Sequence, residues 1–146
     1  MDKIPFRIIE IVTENFRVLP DNEIEDSVGI EISTGHSFAV NIPEHRVRCY
    51  SNYTYKQQDK EILVLDLICT FDVEEESFTS FKKNNKLILD VQYLQYLASI
   101  SVGVARGEIH ARSEMNDSKI SKIVLPPVNL VKSIKEPTIF DIIDSN

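Results

Sequence analysis

The chain has no tryptophan, two cysteines and only four glycines in 146 residues, and each scarcity closes off a class of function. With no glycine cluster there is no loop whose backbone could cradle a phosphate. Cys49 and Cys69 fall among apolar neighbours in strand-like segments. They read as two small core residues in a reducing compartment rather than as a disulfide. The three histidines, His36, His45 and His110, fall in a turn, a strand start and a helix end, and no spacing among them suits zinc. Ser99 and Ser101 lack the strained elbow that exposes a nucleophile.

Positive charge is also short. Sixteen basic residues face 23 acidic ones for a net charge of -7, a surface that repels phosphate backbones and anionic lipid. Neither nucleic acid nor a membrane is expected as a partner, and the nearest basic patch is Lys82-Lys83 with Lys86. Long hydrophobic runs are missing as well, because Asp90, Gln92 and Gln95 interrupt the apolar stretches. Met1-Asp2-Lys3-Ile4-Pro5 lacks the pattern of a signal peptide, so a cytoplasmic protein is expected. Asp66 could serve as a buried acid, but facing water or Arg46 or Arg48 on a neighbouring strand is the simpler reading. An enzyme is the weakest class, and no catalytic residue, metal or cofactor is expected.

Hydrophobic residues make up 42% and charged residues 27%, an ordinary globular composition for a single domain over 1–146. Phe6 to Val18 reads as a strand, with Ile8, Ile9, Ile11 and Val12 apolar on both sides. Val28 to Ile32 alternates, Thr34-Gly35-His36 reads as a turn, and Phe38, Val40 and Ile42 resume the apolar face. Arg46 to Lys56 puts Val47, Cys49, Tyr53 and Tyr55 on one face. After the short connection Gln57-Gln58-Asp59, Leu63, Leu65, Leu67, Cys69, Phe71 and Val73 line one face of the strongest strand. Glu74 to Glu76 reads as an acidic loop, and Ser77 to Phe81 as either a short edge strand or a lead into a helix.

From Leu87 to about Arg112 the period becomes helical. Leu87, Val91, Leu94, Ala98 and Ala105 form one stripe, and Tyr93, Leu97, Ile100 and Val104 an adjacent one. Together they predict more apolar surface than one sheet face covers, so copies are expected to associate. Leu94, Leu97, Ala98, Ser101, Val102 and Ala105 are the predicted interface. Ser99, Ser101 and Gly103 are small enough for a second helix to come close. Met115 to Ser121 reads as polar loop, Pro126-Pro127 forces extended backbone, and Asn129 caps Leu130 to Ile134. Thr138 to Ile143 reads as one more amphipathic turn.

The helix ending in Arg106-Gly107, the polar loop after it and Leu125-Pro126-Pro127-Val128-Asn129 resemble the C-terminal half of the bacterial export chaperone SecB family. Phe6 to Ile11 with Phe16 looks like that family's first strand, and Arg46 to Lys56 with Glu61 to Val73 like its central hairpin. Val28 to Ile42 looks like added sheet material. The resemblance implies an α+β fold, an antiparallel sheet of about four or more strands backed by one long helix and a short C-terminal helix. It also implies an ATP-independent holdase for non-native polypeptides that assembles as a dimer of dimers. The further partner would be the Sec motor ATPase in the export branch, or an antitoxin in a toxin–antitoxin–chaperone branch. A holdase needs apolar surface without fixed shape. Tyr53, Tyr55, Phe71, Phe78, Phe81, Tyr93, Tyr96 and Phe140 are its candidate groove residues, with core or interface aromatics as the plainer reading of each.

Overall fold

The computed structural model describes residues 6–142. Four long strands form an antiparallel sheet: β1 (Phe6–Val18), β2 (Glu31–Asn41), β3 (Arg46–Gln57) and β4 (Lys60–Val73). Their spatial order is β1-β4-β3-β2, so the strongest apolar strands sit in the middle and β1 and β2 are the two edges. The connection from β1 to β2 travels around the β3–β4 hairpin end of the sheet. Gln57 holds it there, accepting from Glu25 N and donating to the carbonyls of Glu25 and Val28. Lys119 fastens it from the other side through Ile24 O and Asp26.

In register, Val47 pairs with Phe71, Cys49 with Cys69, Tyr53 with Leu65 and Tyr55 with Leu63, which lays the predicted apolar faces of β3 and β4 side by side. Helix α2 (Val91–Met115) crosses that face. Beneath it Leu94, Leu97, Ala98, Ser101, Val102 and Ala105 are all buried. The interface expected of these six is corrected by this packing: they are the inner face of the helix, sheathed by the subunit's own sheet. What α2 leaves to solvent is Gln92, Tyr96, Ser99, Gly103, Gly107, His110, Ala111, Glu114 and Met115, with Tyr96 and the terminal Met115 its large apolar side chains.

Four further expectations change. Thr34-Gly35-His36 is not a turn; it runs straight through β2, with Gly35 opposite Asn52, because backbone pairing to β3 overrides local turn chemistry. Within Val28 to Ile42, Glu31–Asn41 is therefore one of the four strands of the main sheet rather than an addition to it. The helical segment begins later than Leu87. Asp90 caps α2 by accepting from Tyr93 N at 2.9 Å, and Leu87 and Leu89 lie in a short strand, β6 (Lys86–Leu89). Glu75–Ser80 forms a short helix, α1, which places Glu75 and Glu76 in a first turn, where negative charge is favourable.

The segment after Pro137 is a strand, β7 (Thr138–Asp141), rather than an amphipathic turn; Ile143 lies outside the described residues. It pairs with β6, which also pairs with β5 (Lys82–Lys83) across the turn Asn84-Asn85. Both asparagines have positive φ, 52° and 61°, as a two-residue hairpin turn requires. The stretch through Pro126 and Pro127 carries neither helix nor strand, and Asn129 caps α3 (Leu130–Ser133), accepting from Lys132 N at 3.1 Å. Arg106 explains the paired motifs. Its Nε donates to the Leu125 carbonyl at 2.8 Å, tying the proline clip to α2.

Candidate polypeptide-binding groove

The edge strand β2 is open along its free side. Among the described residues, no loop or turn makes a backbone hydrogen bond to that side, so its backbone groups can pair with an added strand. Beside it runs a groove of about 510 Å³ between β2 and the chain after α3. His36 and Phe38 form one wall, Leu94 the floor, and Ile134, Lys135 and Glu136 the other wall. Its size lies within the roughly 300–1,000 Å³ of ordinary ligand clefts. Gln95 holds the far wall in place by donating to the Ile134 carbonyl at 3.0 Å.

His36 is the groove's one imidazole. Its Nε2 lies 3.3 Å from the Tyr53 hydroxyl and the rings meet edge to face. Burial holds the His36 pKa below its ordinary 6.5, so the ring enters the groove as a neutral group. Burial likewise pushes the Tyr53 hydroxyl up and the Tyr55 hydroxyl up to about 12, with the Arg106 guanidinium pulling weakly the other way in both. The Cys49 thiol is pushed up to about 12, again by burial. These are inert core groups rather than nucleophiles, and among the described residues no His/Cys/Asp/Glu cluster could hold a metal.

The eight aromatic candidates divide by depth. Tyr53, Tyr55, Phe71, Phe78 and Tyr93 are sealed in the core, so a guest cannot touch them without opening the fold; the plainer reading holds for these five. Phe81 and Phe140 are half-buried, and Tyr96 is 47% exposed. Tyr93, Phe81 and Phe78 meet ring to ring in sequence, and Phe6 links Tyr96 and Phe71 to Tyr93. Its ring sits 5.4 Å from Tyr96, 5.7 Å from Phe71 and 6.2 Å from Tyr93.

Sequence reasoning missed His36, Phe38 and Ile134 as groove residues, and placed Leu94 on an interface. Finding them needs the strand order, because only an edge position makes the wall of β2 accessible. It also missed the main exposed apolar surface, which is on β1. Ile8, Ile9, Ile11 and Val12 are each 38–47% exposed. The signal was present in their two-sided apolar pattern. Register shifts at Ile9 and Glu14 allow Ile8 and Ile11 to share the helix-side face despite their odd spacing.

No protein-family model matches the chain, and no curated protein matches it by sequence. Among solved structures it is similar to the Mycobacterium tuberculosis Rv1957 SecB-like chaperone in complex with a ChAD peptide from the Rv1956 HigA1 antitoxin. The identity is 11%, over 84% of this chain and 90% of that one, with a TM-score of 0.47. The α+β architecture itself, four antiparallel strands backed by a 25-residue helix and a short C-terminal helix, is what the structure shows. No helix among the described residues is long and apolar enough to cross a membrane.

Proposed function

We propose that this chain is an ATP-independent holdase that takes extended, non-native polypeptide along the free edge of β2. One observation carries the reading: an unpaired strand edge lies directly beside a groove whose near wall carries half-buried Phe38. The backbone edge offers hydrogen bonds to any extended chain regardless of sequence, and half-buried Phe38 offers apolar contact to alternate side chains. At about 25 cal/mol per Å², burying a few hundred square ångströms of apolar surface gives several kcal/mol, enough for micromolar, readily reversible binding. The residue-level resemblance to the SecB family agrees with this, and preproteins for export are the client class it implies.

The second part of the reading is self-association through β1. An edge strand normally avoids exposing long apolar stretches, or it becomes a pairing template. β1 exposes four large apolar residues on two faces, so a second copy pairing along this edge would cover what α2 does not. A dimer of dimers is the assembly the resemblance implies.

The test is suppression of aggregation of a chemically unfolded client without nucleotide, compared with Phe38→Asp. The wild-type chain suppresses aggregation at micromolar concentration, and the variant loses roughly tenfold or more, because a charge is placed on an apolar contact. Absence of suppression together with capture of one antitoxin-like partner would favour a dedicated interaction module on the same fold. Binding to neither would sink both.

A further inference from the structure

The face of the main sheet opposite α2 carries no helix among the described residues. Near its β2 edge lies a second concavity of about 480 Å³, lined by Ala39, Asn41, Glu44, Arg46, Arg48 and Tyr50 among others. Its charge is unbalanced in a specific way. Arg46 is already engaged, 2.7 Å from Glu44 and 4.0 Å from Asp72, and Asn41 fixes Glu44 by accepting from its backbone N–H at 3.1 Å. Arg48 has no carboxylate within 4.0 Å among the described residues. The pocket therefore holds one surplus positive charge on a chain whose net charge is -7.

The strand register says how that charge can be reached. Arg48 on β3 stands directly opposite Ala39 on β2, and both point away from the helix. Neighbouring strands lie about 4.8 Å apart, so a chain added to the free edge of β2 runs about 10 Å from β3. A long side chain at the position beside Ala39 meets nothing bulky on β2 and can extend over the alanine methyl toward Arg48. Tyr50 supplies a flat wall for the methylenes of that side chain. Residues on either side of it in the added strand point to the opposite face, where Phe38, Leu94 and Ile134 line the groove.

We propose that the β2 edge selects for charge as well as for extended shape: the preferred guest places a glutamate or aspartate beside Ala39, between two apolar residues, and pairs it with Arg48. The single surplus charge fits a carboxylate rather than a phosphate dianion, since Glu44 already opposes the second guanidinium. This inference deepens the holdase reading and rests on guests entering at β2.

The experiment uses the full chain and three fluorescent peptides of alternating apolar and polar residues, identical except for a central Glu, Gln or Lys. Anisotropy gives their affinities at low and high salt. The Glu peptide is expected to bind roughly fivefold tighter than the Gln peptide, the range of a partly exposed ion pair, with the Lys peptide weakest and the spread shrinking at high salt. Arg48→Gln should abolish the Glu–Gln difference, bringing the Glu peptide down to the Gln peptide, and Arg48→Glu should invert the order to favour Lys. Arg48 is solvent-exposed, so these variants are expected to fold; matching melting curves check that. Equal binding of all three peptides, still lost in Phe38→Asp, overturns the charge selection and leaves the groove standing. No binding of any peptide overturns the groove reading with it.

Discussion

The two edges of the main sheet solve the same problem in opposite ways. Both are long strands with one unpaired side, and either could recruit another chain. β1 exposes Ile8, Ile9, Ile11 and Val12, whereas the exposed positions of β2 are Glu31, Ser33, Gly35, Ser37 and Asn41. An apolar edge gains most from permanent coverage, because withdrawing that surface from water is where its free energy lies. A polar edge beside a groove of mixed polar and apolar lining gains little until an extended chain arrives, and holds that chain less tightly. On the proposed reading, the difference separates a surface for assembly from a surface for guests. A third edge supports the contrast: β5 carries Lys82 and Lys83, both exposed, and lysines on a strand edge discourage pairing.

The largest effect that could break this comparison is on assembly. Ile11→Asp puts a carboxylate on the helix-side face of β1, and a two-fold interface meets the change once from each copy. Association should weaken by about a hundredfold or more, given the cost of burying an unpaired charge, while guest binding per subunit changes little. Mass measured in solution against concentration reads it directly. A wild-type chain that stays monomeric at high concentration removes the role assigned to β1 and leaves β2 untouched.

A comparable effect, on a different quantity, comes from the sealed residues. Leu97→Ala opens a cavity under α2 and should cost about 2–5 kcal/mol of stability, seen as an earlier denaturant midpoint. If Leu97 instead belonged to an interface between copies, the loss would depend on protein concentration. A concentration-independent midpoint shift keeps Leu97 inside the subunit and the assembly surface on β1.

Smaller still is the pH response of the β2 wall. His36 has its folded-state pKa held below 6.5 by burial, so the unfolded chain binds the proton more readily. Stability is then full above about pH 6.5 and is lost as pH falls from there through the depressed folded value. His36→Phe should flatten that slope below pH 6.5, as read from denaturation midpoints at successive pH values. The effect on guests should run the same way, because a protonated imidazole next to Tyr53 charges the groove wall. A slope unchanged by the substitution assigns the acid sensitivity to other groups.

How much of this was legible in the residues depends on whether the deciding physics is local. The period-two face from Leu63 to Val73 and the Asn129 cap are local, and both read correctly. The start of α2 is not legible locally, because Leu87 and Val91 fit one helical stripe, while Asp90, the actual cap, also reads as a break in an apolar run. Thr34-Gly35-His36 carries genuine turn chemistry, which pairing with Ser51 to Tyr53 overrides. Depth was the least legible property. Tyr53 and Tyr96 are both aromatic residues on amphipathic segments, yet one is sealed and the other 47% exposed, and only the packing of α2 across β3 and β4 separates them. The groove was invisible for the same reason, since strand order is a non-local fact.

The smallest expected effect concerns the outer face of α2, the one surface both edges leave undecided. Gly103 lies mid-helix, exposed, and a Cβ built there would meet nothing within 4 Å. Inside a lone subunit, glycine at this position only costs helix propensity, so Gly103→Ala should raise stability by about 0.5–1 kcal/mol. A second helix packed against Ser99, Gly103 and Gly107 would change the sign, because the added methyl would stand where the partner backbone approaches. Melting curves across a range of concentrations distinguish the two: stabilisation at every concentration leaves α2 facing water, with β1 as the sole surface of assembly. Destabilisation that appears only where copies associate extends the assembly surface from β1 across the helix.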